Sequence, residues 1–105
     1  MAQLDVFRNP DKKSAAVIPF VLDIQNNLLA NLPTRTVIPL AVPATVGMLP
    51  ILRLNPTVSV GEMTLIALTQ DMAALPKRML TTPITNLSPQ REEILAALDF
   101  LFTGF

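Results

Sequence analysis

Few side chains in this sequence could carry out chemistry. The chain contains no histidine, cysteine, tyrosine or tryptophan, so neither a Ser-His-Asp or Cys-His nucleophile nor a histidine or thiolate zinc site can be built. Its serines, Ser14, Ser59 and Ser88, do not lie in a Gly-x-Ser-x-Gly turn. Its 3 glycines are too dispersed for a phosphate-binding loop. Any catalysis would depend on Asp, Glu, Lys, Arg or Thr, and we expect a protein that is not an enzyme and has no cofactor or metal.

The composition favours a small binding protein. Residues 1–105 are expected to form a single domain. Half of the residues are hydrophobic and only 15% are charged, which predicts that part of the apolar surface is buried against a partner or a second copy. The net charge is zero, so the sequence lacks the basic character of a nucleic-acid-binding protein.

The sequence also suggests that the protein is soluble and cytoplasmic. The first residues do not resemble a signal peptide, because no basic region precedes an apolar run. The longest uncharged stretch, residues 36–52, is interrupted by proline and glycine and is too short to cross a bilayer as a helix.

The pattern of apolar residues predicts several strands followed by one helix. A two-residue turn at Gly61-Glu62 separates two strand-like runs, which is typical of a type II′ hairpin. Pro19 and Pro39 interrupt two other runs, which indicates a bent sheet or barrel. The predicted strands are Gln3–Phe7, Val17–Asp23, Thr36–Ala41, Thr57–Val60 and Met63–Thr69, with Pro76–Leu80 as a further candidate.

The helix is predicted near the C-terminal end of the sequence. Ser88 is a favourable N-cap, Pro89 suits the first helical position, and Gly104 is a plausible stop. Apolar residues at helical spacing, expected in the core, are Ile94, Leu98 and Leu101. Phe102 and Phe105 lie at or beyond the helix end, where less of the protein is left to cover them.

Four segments, in this order and spacing, resemble the CcdB family of bacterial toxins. The similarity extends over nearly the whole chain. The matching segments are "DIQNNLL" (Asp23–Leu29), "RTVIPL" (Arg35–Leu40), the hairpin region "LNPTVSVGEMTLIALTQDMAALP" (Leu54–Pro76) and the final helix "NLSPQREEILAALDFLFTGF" (Asn86–Phe105).

This resemblance implies a fold and a mode of action. The family fold is mainly β (α+β): a small SH3-like, CcdB-type β-barrel with an antiparallel sheet, a smaller three-stranded sheet and one C-terminal helix. Family members act as homodimers and bind the A subunit of DNA gyrase. They trap gyrase while it is covalently joined to broken DNA, which leaves double-strand breaks. A CcdA antitoxin, through a disordered segment, removes the toxin from gyrase.

The resemblance also implies which residues contact these partners. The expected gyrase-binding residues are Phe102, Thr103, Gly104 and Phe105 with Asp99, together with Leu28 and Leu29. Leu28 and Leu29 could equally be ordinary core residues. Antitoxin binding would involve the basic residues Arg8, Lys12, Lys13 and Arg53, although the two lysines could simply be solvated. No membrane contact and no sequence-specific nucleic-acid binding are expected.

The chain departs from the family pattern at its end. Well-known members carry a tryptophan before the final glycine, and that ring stacks on an arginine of gyrase. Thr103 occupies this position here and cannot stack. Phe105 replaces the usual isoleucine, and Asp99 replaces a neutral polar residue.

Two other functions remain open at the level of sequence. MazF/Kid endoribonuclease toxins share the family fold, and such a site would use arginines and carboxylates, for example Arg35 with Asp23 or Asp71. The protein could also be a non-toxic relative that has kept only the fold.

Overall fold

A computed structural model describes residues 1–45 and 50–104. Within these ranges the chain forms seven antiparallel strands and one α-helix. The strands are β1 (Asp5–Arg8), β2 (Phe20–Asp23), β3 (Thr34–Ala41), β4 (Thr57–Val60), β5 (Met63–Ala67), β6 (Ala73–Pro76) and β7 (Thr85–Asn86), and the helix is α1 (Arg91–Thr103). The sheet has the order β4-β5-β3-β2-β1-β7, and β6 also pairs with β3. The sheet is a nearly closed barrel, which confirms the predicted fold class.

Strand β3 pairs with two different strands, β6 and β5, along one of its edges. Its first half pairs with β6, from Thr34 opposite Pro76 to Val37 opposite Ala73. Its last two residues pair with β5. Pro39 lies in the gap between these two partners, so its missing N–H leaves no ladder position on that edge unpaired. This explains how a proline is accommodated inside a central strand.

The predicted hairpin is confirmed, and two strand boundaries are corrected. Gly61 has φ of +60° and begins a two-residue turn between β4 and β5. Strand β2 begins at Phe20 and not at Val17, because Val17 N–H donates to the Ser14 carbonyl within a turn. Pro76–Leu80 is not a strand: Pro76 ends β6, and Lys77–Met79 forms a 3₁₀ turn.

Helix α1 ends as predicted but begins differently. Gly104 adopts the left-handed conformation with φ of +79°, and its N–H donates to the Phe100 carbonyl at 2.9 Å. Ser88 does not cap the helix, because Ser88–Gln90 is itself a 3₁₀ turn that precedes α1. Asn86 provides the local side-chain acceptor instead, since the Ser88 N–H donates to its Oδ1 atom at 2.9 Å.

The two faces of the sheet bury different apolar clusters. Along β1, β2 and β3, Val6, Leu22 and Ile38 are in register and face the main core, in which Ile94 of α1 is also buried. Alternate residues of these strands face a second, smaller cluster made of Phe7, Val21, Val37 and Leu80. Ile94 is buried as predicted, Leu98 packs against the main core, and Leu101 is half-buried. One face of α1 is therefore fixed to the barrel.

No helix in the described part of the chain is both long enough and apolar enough to cross a membrane.

Candidate functional site

The C-terminal end of α1 presents an exposed aromatic ring. Phe102 is 70% exposed although the preceding turns of the helix pack against the core. Asp99 and Thr103 are also exposed, and the Thr103 hydroxyl donates to the Asp99 carbonyl at 2.7 Å. Gly104 then ends the helix. Phe105, the last of the predicted contacts in this group, lies outside the described residues.

A second exposed apolar element follows β2. Asn27–Leu29 forms a 3₁₀ turn that contains no buried residue. Leu28 is 90% exposed and Leu29 is 47% exposed, so the interpretation of this pair as ordinary core residues is wrong. The Leu28 N–H donates to the Asn26 side chain at 2.8 Å, which fixes the start of the turn. We refer to Leu28 and Leu29 as the leucine pair.

The arginine proposed for RNA cleavage is buried in an ion pair. Arg35 and Asp23 are fully buried, and the Arg35 Nη2 atom lies 2.7 Å from the Asp23 Oδ2 atom. The Arg35 Nε–H also donates to this oxygen at 2.8 Å. Asp71 is exposed and makes no ion pair with Arg35. An RNA phosphate cannot reach the guanidinium group, so this set of residues does not form a ribonuclease site in the chain as folded.

The four basic residues predicted to bind the antitoxin belong to two regions. Arg8 ends β1, and Lys12 and Lys13 follow on an exposed loop. The loop is folded by the Asn9 and Asp11 side chains, which accept hydrogen bonds from the N–H groups of Asp11 and Lys13 respectively. The side chains of Arg8, Lys12 and Lys13 make no ion pair with any described residue.

Arg53 is in a different position. Its guanidinium lies over the Phe100 ring of α1 at 4.9 Å from the centroid, a cation–π contact. Its backbone has φ of +74°, which is uncommon for a residue other than glycine. Arg53 therefore ties the loop after residue 50 to the helix, a structural role that the sequence did not indicate.

An apolar surface that the sequence pattern did not indicate lies beside Arg53. Leu52 is 87% exposed and Ile51 is 44% exposed. Both line a cleft of about 500 Å³, whose lining also includes Glu93 and Ala96 of α1. Only five residues separate Pro50 from Pro56, too few to show a periodic apolar pattern, so this exposure had no signal in the sequence.

The exposed side chains at the end of α1 and in the leucine pair are largely apolar, which suits binding by contact. Among the described residues, no group of three or more His, Cys, Asp or Glu side chains could hold a metal ion. No hydrogen bond or ion pair found in these residues links the leucine pair to the end of α1. The end of α1 and the leucine pair are therefore exposed apolar elements on different parts of the chain, in addition to the apolar surface at Ile51 and Leu52.

Comparison with known proteins assigns the chain to a family. The model of the family described as CcdB protein matches residues 3–104. Because the match covers nearly the whole chain, the protein belongs to the CcdB family. Membership indicates a toxin of a toxin–antitoxin system. No curated protein matches the chain.

Proposed function

We propose that this member of the CcdB family is a toxin that binds the DNA gyrase A subunit and traps the gyrase–DNA cleavage complex. A protein traps a conformational state by binding that state more tightly than the others, and this requires complementary contacts but no catalytic group. The toxin itself is then not an enzyme and needs no cofactor. The double-strand breaks are made by gyrase and are prevented from resealing.

The observation that carries this proposal is the exposure of Phe102. The ring is 70% exposed at the end of a helix whose Ile94 is 1% exposed in the core. An aromatic ring on a rigid support loses little conformational freedom on binding, so it suits the role of an interface anchor. The resemblance to CcdB toxins implies that the gyrase contacts include the segment that contains Phe102.

The leucine pair supports the same proposal. Leu28 is the most exposed of the large hydrophobic residues in the described part of the chain. Exposing leucines on a short turn gives no benefit to the isolated fold, whereas burying them against a partner is favourable by roughly 25 cal/mol per Å² of apolar area. We assign these two residues to the gyrase-binding surface together with Asp99 and residues 102–105.

Thr103 changes the chemistry of this surface. Its hydroxyl donates to the Asp99 carbonyl within the helix, so this side chain offers neither a ring nor a free donor to gyrase. The cation–π contact of tryptophan-bearing toxins is absent, and the aromatic contribution at the helix end falls to Phe102 and Phe105.

We further propose that the toxin acts as a homodimer in the cytoplasm and is neutralised by a CcdA-like antitoxin. The exposed Arg8, Lys12 and Lys13 suit an acidic antitoxin segment by charge. Arg53 is a weaker candidate, because its guanidinium already lies over Phe100.

The proposal is tested by calorimetric binding to purified gyrase A subunit. Phe102→Ala should weaken binding by about 2–4 kcal/mol, or roughly 30- to 1000-fold, because it removes an interface anchor. Met63→Ala is the matched control, since Met63 is an exposed apolar residue (41%) on β5 outside the proposed surface. Equal affinities for wild type and Phe102→Ala would contradict the assignment. Absence of binding by the wild type to a gyrase that is sensitive to other CcdB toxins would contradict the proposed target, and would favour the non-toxic relative.

A further inference from the structure

We propose that Gln25 is a positioning residue that holds the leucine pair in its binding geometry, and that the buried Asp23–Arg35 ion pair holds Gln25 in turn. This inference rests on the proposed function, because it assigns a purpose to residues beneath the proposed gyrase-binding surface. None of the three is expected to touch gyrase, since Gln25 is only 8% exposed and the other two are fully buried.

The Gln25 side chain connects the turn to the neighbouring strand. Its Nε2 group donates to the Leu29 carbonyl and to the Thr34 carbonyl, both at 3.1 Å. Its Oε1 atom accepts from the Thr36 N–H at 3.0 Å. A single buried amide thus joins the last residue of the 3₁₀ turn to two residues of β3.

The Asp23–Arg35 ion pair is hydrogen-bonded to the backbone of Gln25. The Asp23 Oδ1 atom accepts from the Gln25 N–H at 3.0 Å, and the Arg35 Nη2 group donates to the Gln25 carbonyl at 3.3 Å. Hydrogen bonds to charged groups are stronger than those between neutral groups. Both backbone polar groups of Gln25 are therefore held by charges, which fixes the point from which its side chain reaches Leu29, Thr34 and Thr36.

Two further contacts hold the flanks of the same turn. The Gln3 N–H donates to the Asn27 side chain at 2.7 Å, and the Lys77 ammonium donates to the Ala30 carbonyl at 2.9 Å. The turn is thus bonded to the N-terminal segment, to β3 and to the segment after β6.

This amount of support exceeds what the fold requires of the turn. The 3₁₀ turn buries none of its residues, so holding it adds nothing to the packing of the core. What the contacts fix is the direction in which the leucine pair is exposed. A binding element that is already ordered avoids the entropic cost of ordering during association. The expected effect of releasing the turn is a loss of about tenfold in affinity for the partner.

The test uses Gln25→Met, which keeps the length of the side chain and removes its four hydrogen bonds to Leu29, Thr34 and Thr36. Asn55→Leu is the matched control, because Asn55 is a comparably buried amide (6%) that donates to the Ala67 carbonyl and the Gln70 side chain. Asn26→Ala is a milder variant that removes the exposed bond to the Leu28 N–H, and it serves if Gln25→Met does not fold.

Two measurements are made on each variant. The first is amide hydrogen exchange at Leu29 and Ala30, whose N–H groups donate to the carbonyls of Asn26 and Asn27. Exchange at these amides should be at least about tenfold faster in Gln25→Met than in Asn55→Leu, because only the former releases the turn. The second is affinity for the gyrase A subunit, which should fall about tenfold in Gln25→Met and remain unchanged in Asn55→Leu.

A double variant separates positioning from general destabilisation. If Gln25 acts through the leucine pair, adding Gln25→Met to Leu28→Ser should weaken gyrase binding much less than it does in the wild type. Full additivity in this cycle, or unchanged exchange at Leu29 and Ala30, would overturn the proposal. If wild-type protein does not bind gyrase, the proposed function fails, while the exchange rates still decide whether Gln25 holds the turn.

Discussion

Replacing Asp23 with asparagine should destabilise the protein severely, although the two side chains have nearly the same shape. Asp23 and Arg35 are fully buried, with 2.7 Å between the carboxylate and guanidinium. Asp23→Asn leaves the arginine charge buried without a counter-charge. Removing one member of a buried ion pair typically costs about 3–5 kcal/mol. Small domains are stable by only about 5–15 kcal/mol, so this change removes a large part of the total.

Combining Asp23→Asn with Arg35→Met gives a sharper test than either substitution alone. Arg35→Met should also be destabilising, because it leaves the carboxylate without its cation. The Arg35 Nη1 group has no hydrogen-bond partner among the described residues, so the intact pair is not fully satisfied. The double variant Asp23→Asn/Arg35→Met removes both charges. Its loss of stability should therefore be smaller, by at least about 2 kcal/mol, than the sum of the losses in the two single variants.

The assay is urea unfolding at one fixed protein concentration, since the proposed dimerisation would make apparent stability depend on concentration. A loss of about 4 kcal/mol with a slope near 2 kcal/mol per molar urea shifts the midpoint by about 2 M. A loss below about 1 kcal/mol for Asp23→Asn, or strict additivity in the double variant, would refute the view that this is a desolvated structural pair. That result would also reopen Arg35 as an accessible residue.

Two further predictions concern the turn of the hairpin and the basic loop. Gly61→Ala should lower stability by about 1 kcal/mol, because φ of +60° is strained for alanine, and the melting temperature should fall by about 4–8 °C; an unchanged melting temperature would show that the turn relaxes without cost. Replacing Lys12 and Lys13 together by serine should slow association with an acidic CcdA-like peptide several-fold at low salt, with the difference disappearing near 1 M salt, where charges are screened within about 3 Å. Stopped-flow association rates measure this, and a salt-independent difference would indicate that the lysines do not act through charge.

The sequence was most informative where backbone conformation is set by one residue type. Gly61 and Gly104 both adopt positive φ, as the predicted hairpin turn and helix stop require. Pro39 was correctly interpreted as a sign of a curved sheet, although its accommodation depends on a change of strand partner along β3. These features are local, so a short window of sequence determines them.

Features that depend on distant parts of the chain were not predicted. Whether an arginine is buried depends on its partner, and Arg35 meets Asp23 only because β2 and β3 lie side by side. The leucine pair was ambiguous for the same reason, because adjacent leucines suit a core as well as a binding surface. The start of α1 was misplaced because Asn86, and not Ser88, supplies the side-chain acceptor.

The most direct test of the proposed function is a plasmid cleavage assay with purified protein, gyrase, supercoiled plasmid and ATP, in which detergent reveals trapped breaks. A companion variant that ends after Phe102 lacks the rest of the proposed tip. We expect linear plasmid with the full chain and none with the shortened one, and no cleavage of RNA by either protein. Absence of linear plasmid with the full chain, from a gyrase that responds to a known poison, would contradict the gyrase-trapping account.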